Sequence, residues 1–293
     1  MKFRVKHTTH YRYSSPVSHC FNEARMSPLN NTHQTCARNR FVIHPAPDSV
    51  HKRFDYFGNQ VTAFDILQPH KELTVTVYSD VQVLDSSRQF LFSADCPWEH
   101  VRDSLRTTTQ ADLLPVREFM LPSPLIPALD EIRDFAEQSF LPQRPVLEAA
   151  KDLMDRIHTE FTYDPSATTI STPLATVLAQ KRGVCQDFAH LGIACLRSLG
   201  LAASYISGYL ETLPPPGQKK LVGVDASHAW YAVHMLDDGW VAFDPTNNIM
   251  PTDQYITLAI GRDFADVTPL KGVIYGGDHH LLKVSVDVDR IEA

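Results

Sequence analysis

What the sequence lacks narrows its chemistry before any motif is read. There is no basic run, and with a net charge of −7 this argues against a nucleic-acid partner. No stretch of about 18 apolar residues offers a membrane span. Met1-Lys2-Phe3-Arg4-Val5-Lys6-His7 also puts charge where a signal peptide would carry its apolar core. The reading is a cytoplasmic protein with no membrane partner. Five cysteines, at 20, 36, 96, 185 and 195, make no C-x-x-C pair and no even disulfide set, so reduced thiols are expected. Fourteen histidines supply neither H-E-x-x-H nor a Cys/His zinc spacing, and no metal or cofactor is expected.

What is present is an ordinary globular chain, 43% hydrophobic and 21% charged over 293 residues, long enough for a main domain and a smaller one. Residues 1–95 read as a β domain, because Phe3-Arg4-Val5-Lys6 and Leu73-Thr74-Val75-Thr76-Val77-Tyr78 alternate apolar and polar with period two. The proline-punctuated stretch 96–127 reads as a linker. Residues 128–293 read as the catalytic domain. Helical spacing runs through Leu129, Ile132, Phe135 and Ala136, then from Val146 to Phe161. Thr172-Pro173 is a cap and first-turn pair for a short helix before Gly183. Strands are expected at 203–210, 228–236, 240–244, 256–260, 273–275 and 281–288, and Pro214-Pro215-Pro216-Gly217 marks an exposed loop within 212–227. The predicted class is α+β: a helix carrying the key residue, packed on an antiparallel sheet.

That key residue is Cys185, where G-V-C-Q-D-F-A-H-L at 183–191 turns into a helix ending at Gly200. The exposed N–H groups of a helix start favour a thiolate over a thiol and can stabilise an oxyanion formed by its attack on a carbonyl. Cys195 falls on the helix's apolar stripe and belongs to the core. Asp187 fits the first-turn dipole. A base is then needed. His228 and Asp244 follow in chain order, as base and base-orienter would.

Whether they meet depends on the turn at Asp237-Asp238-Gly239. A three-residue loop puts them on one face but four residues out of register, and a two-residue loop sends them to opposite faces. A five-residue loop that pairs His234 with Trp240 makes Asp244 the diagonal neighbour of His228, within side-chain reach. A Cys-His-Asp triad therefore predicts the five-residue loop or an equivalent bulge.

These segments resemble the bacterial transglutaminase-like family, within the papain-like cysteine enzymes. The resemblance rests on 183–191, on S-H-A-W-Y at 227–231 and on W-V-A-F-D-P-T-N at 240–247. It extends to Phe161-Thr162-Tyr163-Asp164, to 259–269, and to the N-terminal segments 11–17 and 55–59. It implies a transglutaminase-like core behind an N-terminal β region, with Cys185 as nucleophile, His228 as general base and then acid, and Asp244 holding the imidazole. Animal members of the wider group stabilise the oxyanion with a tryptophan, for which no counterpart aligns here. The Cys185 backbone N–H is the first candidate donor, and Tyr163, Gln186 and Asp187 are the side-chain candidates at the oxyanion and substrate.

The expected function is that of a cysteine-dependent hydrolase or acyl transferase (a cysteine protease or a transglutaminase-like amidotransferase) working through a thioester on a peptide or protein substrate. Two other readings stand beside it: a non-catalytic peptide-binding scaffold, and an arylamine-type acyltransferase that would need a cofactor pocket.

Overall fold

The computed structural model describes residues 1–84, 93–212 and 227–291; the loop expected around the prolines at 214–216 lies outside them. The chain opens on β1 (Lys2–Ala24), in which Phe3, Val5, His7 and Thr9 turn inward while Lys2, Arg4 and Lys6 face out. This is the alternation that a half-buried strand requires. β2 (Gln34–His44), β3 (Ser49–Phe54), β4 (Gln60–Ile66) and β5 (His70–Val83) complete an antiparallel path β2-β5-β1-β4-β3.

Six helices are described: α1 (Trp98–Thr107), α2 (Asp130–Glu137), α3 (Val146–Glu160), α4 (Leu174–Gln180), α5 (Cys185–Ser198) and α6 (Phe264–Val267). The stretch expected to be a linker therefore contains α1. Its Trp98, Val101 and Leu105 lie one helical turn apart on one face and join the same core as α3 and α5. Pro97 stands at the cap, where a missing N–H costs nothing. Pro173, rather than Thr172, caps α4, and the Thr172 hydroxyl instead accepts the N–H of Thr169.

Between α3 and α5, β6 (Thr162–Tyr163) and β7 (Arg182–Gly183) form a short parallel pair. A second sheet follows in the order β10-β9-β8-β11: β8 (Ala203–Leu210), β9 (Ser227–His234), β10 (Trp240–Phe243) and β11 (Tyr255–Gly261). α5 packs against it at very short range. A Cβ on Gly192 would stand 2.4 Å from the ring of Tyr231, so only glycine admits this approach.

β12 (Leu270–Gly276) and β13 (His280–Arg290), read from sequence as part of the catalytic domain, hydrogen-bond to β1 instead. Phe3 lies opposite Arg290 and Ala24 opposite Leu270. The first sheet in turn covers the open edge of β11. The Gln34 side-chain amide donates to the Thr257 carbonyl and accepts its N–H, and the fully buried Asn59 does the same to Ile260. Two side-chain amides thus supply the hydrogen bonds that a neighbouring strand would give, and they protect an edge that would otherwise invite pairing. Phe3, Val81, Tyr209, Ile256 and Val288 share a buried cluster at this junction.

No helix among the described residues is long and apolar enough to cross a membrane.

Candidate active site

Cys185 is the first residue of α5 and is partly exposed. The turn that delivers it is fixed by Asp187. Its carboxylate accepts the N–H of Val184 at 2.8 Å and the hydroxyl of Thr168 at 2.6 Å. One of the orphan N–H groups at the helix start is satisfied in this way. Gly183 is forced by the same packing, since a Cβ there would meet Asp187 Oδ2 at 2.7 Å. Asp187 is buried and engaged, so its role in this geometry is to brace the cysteine-bearing turn.

The hairpin of β9 and β10 has the register in which Trp240 faces His234. Five residues, 235–239, make the connection, through a 3-10 turn at Leu236–Asp238 and a Gly239 at φ +66° that only glycine adopts freely. This is the one of the three loop lengths that brings Asp244 diagonally past Trp230 to His228. The result is a hydrogen bond of 2.7 Å from His228 Nε2 to Asp244 Oδ2.

Asp244 has no exposed surface, and its burial is compensated by donors. Oδ2 also accepts the Tyr255 hydroxyl at 2.8 Å and the Asn247 amide at 2.7 Å, while Oδ1 takes the N–H of Thr246 at 2.9 Å. Burial alone would raise this carboxyl. The His228 ring, Asn247 and Tyr255 outweigh burial and hold it below the usual carboxylate range.

Burial would likewise lower His228. The hydrogen bond and charge of Asp244, joined by those of Cys185, reverse that and push the imidazole up to about 9. With Nε2 committed to Asp244, Nδ1 is the ring nitrogen left for Cys185. Cys185, His228 and Asp244 are therefore electrostatically joined, with the imidazole held as a cation between two potential anions.

Aromatic rings wall the pair. Trp230 lies 5.9 Å and Tyr255 6.2 Å from the His228 ring, centroid to centroid. Neither Tyr255 nor Asn247 figured in the sequence reading. Tyr255 sits one residue outside the strand expected at 256–260, and nothing in its spacing signalled that β11 would lie beside β8. Asn247 follows the Asp-Pro turn, and it was readable only as part of a family motif.

A cleft of about 350 Å³ opens beside His228, lined by Tyr163, Leu210, Thr212, Thr246 and Asn247. Tyr163 is 53% exposed. Partial burial, then the charge of Cys185, raises its phenol, which stays a neutral donor. Gln186 and Asp187 line a different cavity, which shares no lining residue with this cleft. Cys195 is fully buried in the core, where burial raises its thiol.

A helix-start cysteine facing a strand-borne His-Asp pair, on an antiparallel sheet, defines the papain-like class of cysteine enzymes. Comparison with known proteins narrows the class. Residues 3–82 match the bacterial transglutaminase-like N-terminal region. Residues 133–245, which contain Cys185, His228 and Asp244, match the transglutaminase-like superfamily. An uncharacterized protein of Mycobacterium tuberculosis is 42% identical, over 98% of this chain and 92% of its own length. A protein-glutamine gamma-glutamyltransferase of Pseudomonas aeruginosa is 28% identical over 40% of this chain and 19% of its own length. The crystal structure of a candidate cysteine protease from Cytophaga hutchinsonii matches all of this chain and 91% of its own, with a TM-score of 0.76 at 20% identity, which speaks to the fold. The chain belongs to the bacterial transglutaminase-like family.

Proposed function

We propose that the protein is a cysteine-dependent hydrolase or acyl transferase acting on peptide or amide bonds, with Cys185 as nucleophile, His228 as general base and acid, and Asp244 as its orienting partner. The observation that carries this reading is the His228 imidazole held at 2.7 Å by the buried carboxylate of Asp244, on the sheet against which the helix that begins at Cys185 packs. The thiolate attacks the substrate carbonyl carbon and a C–S bond forms. As the C–N bond breaks, the imidazolium passes its proton to the departing amine and a thioester remains. Water or a primary amine then opens the thioester, giving its proton to His228, and the thiolate is released. The Cys185 backbone N–H and the Tyr163 phenol are suited to hold the oxyanion. A reducing compartment such as the cytoplasm suits a chain that keeps Cys185 free beside four other thiols.

Two measurements test this. Iodoacetamide alkylation followed by peptide mapping is expected to label Cys185 ahead of Cys20, Cys36 and Cys96, whose thiols burial pushes up. A Cys185→Ala chain is expected to lose turnover of a peptide library by about four orders of magnitude; full retention would remove Cys185 from the chemistry. A fluorescent amine, supplied with and without an acyl donor, separates transfer from hydrolysis. Binding of peptides with no turnover under any condition would favour a scaffold.

A further inference from the structure

The first sheet ends in two edges, and they are built differently. One is formed by β2 and β3, which pair with β5 and β4. Arg38, Arg40, Lys52 and Arg53 stand exposed along it, and such charges discourage a foreign strand from adding to a sheet. The other edge is formed by β12 and β13, which among the described residues pair with β1 alone. From Val273 to Tyr275 and from Leu281 to Val284 its one charged side chain is Lys283. Val273, Tyr275, Leu281, Leu282 and Val284 are all between 45% and 74% exposed. Phe21, exposed opposite Val273, carries the apolar strip onto β1.

The pattern of β13 is one made for burial. Leu282, Val284, Val286 and Val288 fall at every second residue and share a face. Val286 and Val288 are fully buried in the cluster that holds Phe3 and Tyr209, while Leu282 and Val284 continue the row past the end of that core. Leu281 stands on the opposite face and is the most exposed of the set. A molecule lying on either face would leave the other uncovered. A strand that extends the sheet covers both faces and the edge together.

A second copy of this chain brings such a strand, with the same apolar row. Paired antiparallel with its counterpart, β13 makes a self-complementary contact that closes at two copies. A two-fold axis through Lys283 would set two ammonium groups opposite each other, which is unfavourable. An axis through Val284 would set Leu281 against the carboxylate of Asp287. An axis through Leu282 sets that leucine against its own counterpart and lays Leu281 along the hydrocarbon stem of Lys283. The five exposed side chains offer on the order of 500 Å² per copy, which the strand backbone and Phe21 bring toward the roughly 800 Å² per partner of a standard interface.

We propose that this edge is a homodimer interface, in which two copies join their first sheets through antiparallel residues 280–284 with Leu282 on the two-fold axis. No residue lining the cleft beside His228 belongs to β12 or β13, so the proposal is independent of the reading of Cys185. Sedimentation velocity of the full chain, from about 1 to about 100 μM, is expected to pass from the monomer to the dimer mass. Leu282→Lys places two ammonium groups across the axis and is expected to weaken association about tenfold or more, with an unchanged circular dichroism spectrum. Leu282→Cys brings two thiols within disulfide reach and is expected to give a covalent dimer on mild oxidation, linked at 282 by peptide mapping. Leu121→Cys, 58% exposed but away from the strip, is expected to give none. A monomer at every concentration, a dimer untouched by Leu282→Lys, or a Leu282→Cys chain that forms no link at 282 overturns the proposal.

Discussion

His7 in the first sheet and His228 in the second are both enclosed, and the two rings titrate in opposite directions. In the first sheet His7 bonds to the Tyr209 hydroxyl at 2.8 Å and to Thr9, neutral partners both, and burial lowers it to about 4. In the second sheet His228 is nearly as enclosed, yet stands at about 9 because a carboxylate and a thiol face it. Burial by itself takes the charge away from an imidazole; a buried anion restores it. A buried histidine is thus no sign of catalysis, and the partner on its second nitrogen is what separates a core residue from a candidate base.

Asp244→Asn breaks this contrast most directly. It removes the charge that holds His228 up, so the ring should titrate well below 9, and turnover should fall by about a thousandfold. Nitrogen-resolved NMR of the ring and the alkaline limb of the pH–rate profile both report the change. A His228 titration that stays near 9 would show that Asp244 is not its main support.

Stability should also depend on pH with opposite signs at these two histidines. His228 is raised above the unfolded value of about 6.5, so its contribution is complete below pH 6.5 and is lost as pH rises through about 9. His7 is lowered, so its contribution is complete above about pH 6.5 and is lost as pH falls to about 4. The His7 effect is on the order of 3 kcal/mol across that window. Denaturant melts of His7→Gln should show a shallower loss of stability between pH 6.5 and 4 than the unmodified chain. An identical slope would mean that His7 is not the group responsible.

Tyr255→Phe sharpens the comparison with the smallest effect. Asp244 keeps four other donors and loses one, which should raise its carboxyl and slow turnover about tenfold with little change in KM. Unchanged kcat and an unchanged acid limb would reduce Tyr255 to a packing residue.

Much of this is legible in the sequence alone. Period-two alternation found β1 and β5, helical spacing found α3 and α5, and the side-chain geometry of hairpins reduced the His228–Asp244 question to one loop length. What stayed hidden depends on contacts between distant segments. The Gln34 and Asn59 clamps on β11 are single polar residues, one at the start of β2 and one in a turn, indistinguishable in sequence from solvated ones. α1 was obscured by the prolines around it, because proline at a helix boundary and proline in a linker look alike. Tyr255 reaches Asp244 only because β8 lies between β9 and β11, an ordering set by sheet assembly and not by any local pattern.

β1 draws its neighbours from opposite ends of the chain. Its first half runs between β5 and β13, and its second half between β4 and β12. A strand whose partners are so far apart in sequence carries a high loop-closure cost before its hydrogen bonds repay it, which slows folding. The same first sheet clamps β11, and β11 carries the tyrosine that touches Asp244. Assembly of the reactive centre is thereby coupled to the longest-range event in folding, so a chain still waiting for its last strand has the cysteine but not yet the finished edge behind its acid–base pair.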